Sequence, residues 1–185
     1  MVEREEILPA PEPAMDQPHW YAFYTCAHHE KSVAAELGAR RVEHFLPLYS
    51  SVRRWKQRRV RLDLPLFPGY VFARLAVVER LRVLQIPSVV RLVGFGGVPA
   101  ALPEGEMEIL RSGLSRGLGA EPHPLLTVGR RVRITGGPFA GLDGIVKRGK
   151  SNLRVVVSLE IIQRAVSVEV DASEIELRLE SKNHG

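Results

Sequence analysis

Residues 53–61 read RRWKQRRVR: six cations in nine positions, no acid, and an indole among them. Clustered guanidinium and ammonium groups neutralise phosphates and release counterions, and an indole offers a face on which a base can stack. Arg53, Arg54, Trp55, Lys56, Arg58, Arg59 and Arg61 are therefore candidate nucleic-acid contacts. The alternative is a solvated hairpin kept cationic against edge-to-edge aggregation. The other stretches that could do chemistry are weaker. His28, His29 and Glu30 lack paired helical spacing and a third ligand, so they read as solvated residues at a helix start rather than a metal site. The GFGG of residues 94–97 has no following Lys-Ser or Lys-Thr and reads as a turn, not a phosphate loop. One cysteine, Cys26, excludes an internal disulfide, fits a reducing cytoplasm, and is expected as a buried thiol. No serine, cysteine or carboxylate set has the spacing of a nucleophile or an acid–base pair. The expectation is a binding protein, not an enzyme, with no catalytic residue, metal or cofactor.

A second signal is aromatic. Ten of the twelve aromatic residues fall within residues 20–72, more than a domain of that size needs for its core. In WYAFYT, alternation puts Trp20, Ala22 and Tyr24 on one face and Tyr21 and Phe23 on the other; in YVFARL it sets Tyr70 and Phe72 opposite Val71, Ala73 and Leu75. If helices cover only the Val71 side, the aromatic side becomes an apolar interface patch; if helices cover both, it is ordinary core. Just before the second strand, LPLFPGY braces Phe67 between two prolines.

The elements that position these residues fall into two groups. Strand-like runs and helical spacing alternate from Trp20 to Leu114: a strand at 20–25, a helix with Val33, Ala34 and Leu37 inward, and strands on either side of the cationic run. A helical stripe follows at Val78, Leu81 and Leu84, then a short strand, then a helix with Met107, Leu110 and Leu114 on one side. Residues 115–126 carry Gly117, Gly119, Pro122 and Pro124, which break helix and sheet, so this segment is expected to be an interdomain linker. Beyond it RVRIT, GIVKR, LRVVVSL, AVSVEVD and EIELRL are short β-rich runs between glycine or polar turns, too small to bury two sheet faces unless the sheet closes on itself. In the joining sequence, Phe139 and Leu142 either plug the barrel or face a partner.

The whole chain sets the frame. Its 185 residues have 45% hydrophobic content and a mean hydropathy of −0.05, with no apolar run of membrane-spanning length. Residues 1–18 form an acidic, proline-rich segment of formal charge −4, expected to be a disordered tail. The chain as a whole carries +5, so the remainder carries +9, which favours a polyanionic partner over a membrane.

The two halves together resemble one family. WYAFYTCAHHEKSVAAEL, FLPLYSSVRRWKQRR, PLFPGYVFARL and VVRLVGFGGVPAALPEGEMEIL are similar to the amino-terminal (NGN) domain of NusG-type transcription elongation factors. VGRRVRITGGPFAGLDGIVKR with RAVSVEVDASEIEL is similar to their KOW domain. The resemblance implies an α+β protein: residues 19–114 as an α/β sandwich with an antiparallel sheet, 115–126 as linker, 127–179 as a small SH3-like β-barrel, and 180–185 as a tail. It implies a cytoplasmic, monomeric factor that binds the clamp helices of RNA polymerase, suppresses pausing and modulates termination. Trp20, Tyr24, Phe67, Tyr70 and Phe72 would form the polymerase pocket, and the cationic hairpin would lie toward upstream or nontemplate DNA. Phe139, Leu142 and Ile145 would recruit the ribosome or Rho. The rival reading is a ribosome-associated RNA-binding KOW protein. Within the family, PLFPGYVF resembles the operon-targeted RfaH, LoaP and UpxY kind, but the region that carries a His-Thr-Thr polymerase contact in RfaH-type proteins reads VVERLRVLQ here. The β-branched runs and the glycines of the second domain further predict a barrel, not a helical hairpin, in the free protein, and one able to move against the first domain.

Overall fold

A computed structural model of the chain describes residues 16–55, 58–116, 120–123, 131–148, 153–159, 162 and 164–177. The acidic tail up to residue 15, Lys56, much of the expected linker and the last eight residues lie outside the described residues.

Strand β1 (Pro18–Thr25) leads into helix α1 (Glu30–Ala39), then β2 (Glu43–Phe45), β3 (Leu48–Trp55), β4 (Arg58–Pro65) and β5 (Tyr70–Ala76). A 3-10 turn (Val77–Glu79) and a four-residue helix α2 (Leu81–Leu84) precede β6 (Val89–Leu92). The small pairs β7 (Gly94–Phe95) with β8 (Val98–Pro99) and β9 (Ala101–Leu102) with β1 follow, and helix α3 (Glu104–Ser115) ends the first domain. The main sheet runs β2-β5-β1-β6, antiparallel throughout, with β9 beside the start of β1. β3 and β4 pair only with each other and form a separate ribbon.

The alternation read from the sequence sorts the sheet as expected. Tyr21, Phe23, Val71, Ala73 and Leu75 pack with Val33 and Leu37 of α1 and with Val83 and Ile86. Trp20, Ala22, Tyr70 and Phe72 face the other way, toward Phe67 and toward Met107 and Leu110 of α3. Helices therefore lie on both sides of the sheet. One expected stripe is corrected: Val78 and Leu81 are exposed, whereas Val77, Val83 and Ile86 are buried. The break between the 3-10 turn and α2 resets the helical phase, so no single stripe runs through the segment.

The second domain is an antiparallel sheet in the order β10-β14-β13-β12-β11-β15, built from β10 (Ala120–His123), β11 (Arg131–Ile134), β12 (Asp143–Arg148), β13 (Leu153–Leu159), β14 (Arg164–Val170) and β15 (Ile175–Leu177). Val132, Ile134, Val155, Val157, Val166 and Val168 supply its aliphatic core. Residues 153–159 and 164–170 are strands in the intact chain, as their β-branched content predicts. The expected linker contains a surprise: Ala120–His123 is a strand, paired along β14 in the register Ala120↔Val168 to His123↔Ala165. Pro122 tolerates this because β10 is the edge of the sheet, where a missing donor costs no ladder bond on the open side.

Candidate protein-docking and nucleic-acid surfaces

The proline-braced turn is held from a distance. Gly69 has φ +82°, and its N–H donates to Glu30 Oε1 at 2.8 Å across 39 residues of sequence. Its carbonyl accepts from Thr25 N–H at 2.8 Å, and Tyr70 N–H closes the turn onto Phe67 O at 3.1 Å. A Cβ at Gly69 would sit 3.1 Å from the Tyr24 ring, so glycine answers both the left-handed backbone and the close approach. Glu30, read from sequence as a solvated helix-start residue, is 4% exposed. Its carboxylate is sunk here to satisfy a buried amide, a long-range role with no local signature. Cys26, expected to be buried, is exposed: it follows the end of β1, where the chain leaves the sheet.

The turn sets the edge of the aromatic face. Tyr24 and Tyr70 are direct cross-strand partners with ring centroids 5.4 Å apart at 61°, and Phe67 meets Phe72 edge-on at 5.5 Å and 88°. Phe45 adds a tilted contact to Phe72 at 6.4 Å. Trp20, Phe67 and Phe72 are at most 1% exposed. They are a base beneath the surface and not groups a partner can reach while α3 lies over them. Charge clamps α3 in place: Arg74 Nε donates to Glu104 at 2.7 Å, and Arg111 bridges to Glu43 at 2.9 Å while lying 6.0 Å from the centre of the Trp20 ring. The Glu104 hydrogen bond holds the Arg74 guanidinium above even its usual high pKa. At the far end of the face stands the tyrosine pair, with Tyr24 half-buried and Tyr70 8% exposed. Arg91 lies over Tyr24 at 5.5 Å, and Arg164, from the second domain, lies over Tyr70 at 5.6 Å.

The cationic run forms the far part of the β3–β4 ribbon, whose register pairs Arg53↔Val60, Arg54↔Arg59 and Trp55↔Arg58. Arg53, Arg54, Arg58, Arg59 and Arg61 are all exposed. Placing Arg54 directly opposite Arg59 sets like charges side by side, which disfavours the pairing until an anion lies between them. Val52, Val60 and Leu62 are also exposed along the ribbon, 61%, 38% and 36% respectively, so it presents cation and apolar surface together. Near its base Ser50 donates to Asp63 at 2.7 Å.

In the second domain the β11–β12 connection is a compact loop closed by Gly141 N–H to Ile134 O at 2.7 Å and Ile134 N–H to Leu142 O at 2.9 Å. Leu142 is 3% exposed and Ile145 half-buried. Phe139, 1% exposed, does not end in its own barrel alone: its ring lies against Gly113 of α3, where any Cβ would overlap it. Gly141 sits against Ile109 of the same helix, close enough that a Cβ would come to 3.0 Å of its Cδ1. The barrel, expected to be able to move against the first domain, touches it here at α3 and Tyr70. Gly113 is the residue the sequence reading missed. A glycine one helical turn after Leu110 and Ile109 was the available signal, since a glycine inside a helix costs about 1 kcal/mol relative to alanine and needs a reason.

Comparison with known proteins gives one family. The family model described as "Transcription termination factor nusG" matches residues 18–111. The chain is 36% identical over 129 residues to the transcription termination/antitermination protein NusG of Escherichia coli strain K12, covering 65% of this chain and 68% of that one. To the protein of the same name from Rickettsia prowazekii it is 27% identical over 186 residues, covering 92% and 95%. Among solved structures, one described as domain interaction in Thermotoga maritima NusG aligns with a TM-score of 0.57 at 24% identity, covering 88% of this chain and 98% of that one, a likeness of fold.

Proposed function

The chain belongs to the NusG family, and on that premise we propose that it is a transcription termination/antitermination factor that docks on the clamp helices of RNA polymerase through the tyrosine end of the aromatic face. The observation that carries this reading is the Tyr24–Tyr70 pair: two rigid aromatic side chains with few rotatable bonds, backed by buried Trp20, Phe67 and Phe72 and fixed by the Gly69–Glu30 turn. Such a surface loses little entropy on binding and has the composition of an interface anchor. Trp20, Phe67 and Phe72 act from beneath by shaping it.

The exposed arginines of the β3–β4 ribbon lie on upstream or nontemplate DNA, which resolves the repulsion between Arg54 and Arg59. By holding polymerase and DNA together the protein suppresses pausing, and the barrel brings a second machine, ribosome or Rho, through the Phe139–Leu142–Ile145 side. The experiment is a pull-down of core RNA polymerase with the full chain, followed by transcription across a pause site and a terminator. Retention of polymerase with shortened pausing supports the reading. Binding to ribosomal RNA with no retention of polymerase replaces it with the ribosome-associated alternative.

A further inference from the structure

The geometry points to Arg91 as a specificity-determining residue of the tyrosine end: it receives a carboxylate of the docking partner, carried on a helix one turn from an apolar side chain seated beside Tyr24. This rests on the polymerase reading above and adds to it the chemistry that the partner must present.

Strands β5, β1 and β6 lie side by side, and one cross-strand row carries Tyr70, Tyr24 and Arg91 in that order. Two residues back along β1, Ala22 has Phe72 on one side and Val93 on the other, all three buried. The sheet face therefore passes from a buried apolar row to one that ends in an exposed cation. Two other first-domain cations on this side are neutralised: Arg74 by Glu104 and Glu43 at 2.7 and 3.6 Å, Arg111 by Glu43 and Glu108 at 2.9 and 3.8 Å. No carboxylate among the described residues pairs with Arg91, which is held instead over the Tyr24 ring at 5.5 Å.

A cation over a ring face is attracted by the ring quadrupole, and that attraction takes up none of the five guanidinium N–H donors. The ring thus fixes the place of a planar fork whose complement is a carboxylate, gripped by two parallel hydrogen bonds. An exposed ion pair is worth little in water, but a partner that covers the site removes the water and makes an unpaired guanidinium costly. A partner with an acid at that point is accepted, and one with an apolar or basic residue there is rejected. The spacing fits a helix laid across the strands. Adjacent strands are about 4.8 Å apart, close to the separation of about 5–6 Å between side chains three or four residues apart on a helix. An apolar side chain against Tyr24 then places the acid of the next turn at Arg91.

The test uses the full-length chain and core RNA polymerase free of nucleic acid. Arg91→Leu keeps apolar cover on Tyr24 and removes the charge, Arg91→Gln removes the charge but keeps a hydrogen-bonding group, and Arg91→Lys keeps the charge without the planar fork. Position 91 is exposed, so the fold should tolerate all three, with urea midpoints as the check and affinity read per folded molecule. The expected result is affinity about tenfold lower in Arg91→Leu and Arg91→Gln, as for loss of a hydrogen bond between charged groups, with Arg91→Lys in between. Those differences should shrink at about 1 M salt, where charges are screened within about 3 Å. Affinity at or above wild type in Arg91→Leu reduces Arg91 to a cover for the ring; it overturns the inference and leaves the polymerase reading in place. Losses that appear only when the polymerase carries nucleic acid assign the guanidinium to a phosphate and overturn the carboxylate. No retention of any form, wild type included, overturns both the inference and the reading beneath it.

Discussion

The two faces of the first-domain sheet are made of neighbouring residues on the same strands, yet they are closed by different means. On one, Tyr21, Phe23, Val71 and Ala73 meet α1 and the α2 region, elements a few residues away in sequence and wholly within the domain. On the other, Met107 and Leu110 of α3 join Trp20, Phe72 and Tyr70 in one core, and two cations finish the tyrosine end: Arg91 of the same domain over Tyr24 and Arg164 of the second domain over Tyr70. A face closed by its own helices is a foundation. A face finished by a separable domain is a surface on loan, and the change occurs between Phe72 and Tyr70, one pleat apart.

Adjacent residues of β1 test that distinction most strongly. Phe23→Ala empties a fully buried site on the closed face and is expected to cost about 3–5 kcal/mol of stability. Urea unfolding of the full chain measures it, and polymerase affinity per folded molecule should not change. Tyr24→Ala, one residue along, should lose on the order of 1 to 3 kcal/mol of polymerase affinity, as an interface anchor does. Its stability should fall by no more than about 1.5 kcal/mol, the value of the ring pair with Tyr70. Similar stability losses in both variants, with affinity untouched in both, would erase the difference between the faces.

Charge reversal of Arg54, Lys56 and Arg58 acts beyond both faces, on the ribbon. It should flatten the salt dependence of binding to a complete elongation complex by about 0.9 in the log–log slope for each phosphate left unneutralised, while sparing polymerase without nucleic acid. An unchanged slope would return the ribbon to a solvated hairpin. The smallest effect is alkaline. Burial raises the Tyr21 phenol above its usual 10.0 on the closed face. The neutral phenol is therefore favoured by folding, and its stabilisation is complete below pH 10 and lost as pH rises through the higher folded value. Denaturation midpoints of wild type and Tyr21→Phe should run parallel up to pH 10 and separate above it, wild type falling faster.

Much of this arrangement is written locally. Alternation in WYAFYT and YVFARL assigns each residue to its face, and the β-branched runs of 153–159 and 164–170 specify strands whatever surrounds them. The end of α3 is legible in the same way, because the helical stripe stops at Leu114 and glycines follow it. What the sequence does not disclose is contact between parts remote in the chain. Glu30 is a helix-start acid by any local rule and becomes a buried acceptor only because Gly69 arrives with an unpaired N–H. Phe139 has an equal local claim to plug its barrel or to face outward, and the Gly113 notch decides it. Pro122 argues against a strand until β14 leaves an edge on which a proline is harmless.

That edge strand also sets the length of a leash. While β10 is zipped to β14, only four residues, 116–119, separate the end of α3 from the barrel's sheet; once it peels away, the connection to β11 runs to fifteen, 116–130. The effective concentration of a tethered domain at its docking site falls as roughly the −3/2 power of tether length, so unzipping four residues dilutes the barrel on the order of tenfold with no contact between the domains altered. The chain thus carries two tether lengths in one sequence, and the short strand that selects between them can tune how long the barrel, once released, stays away.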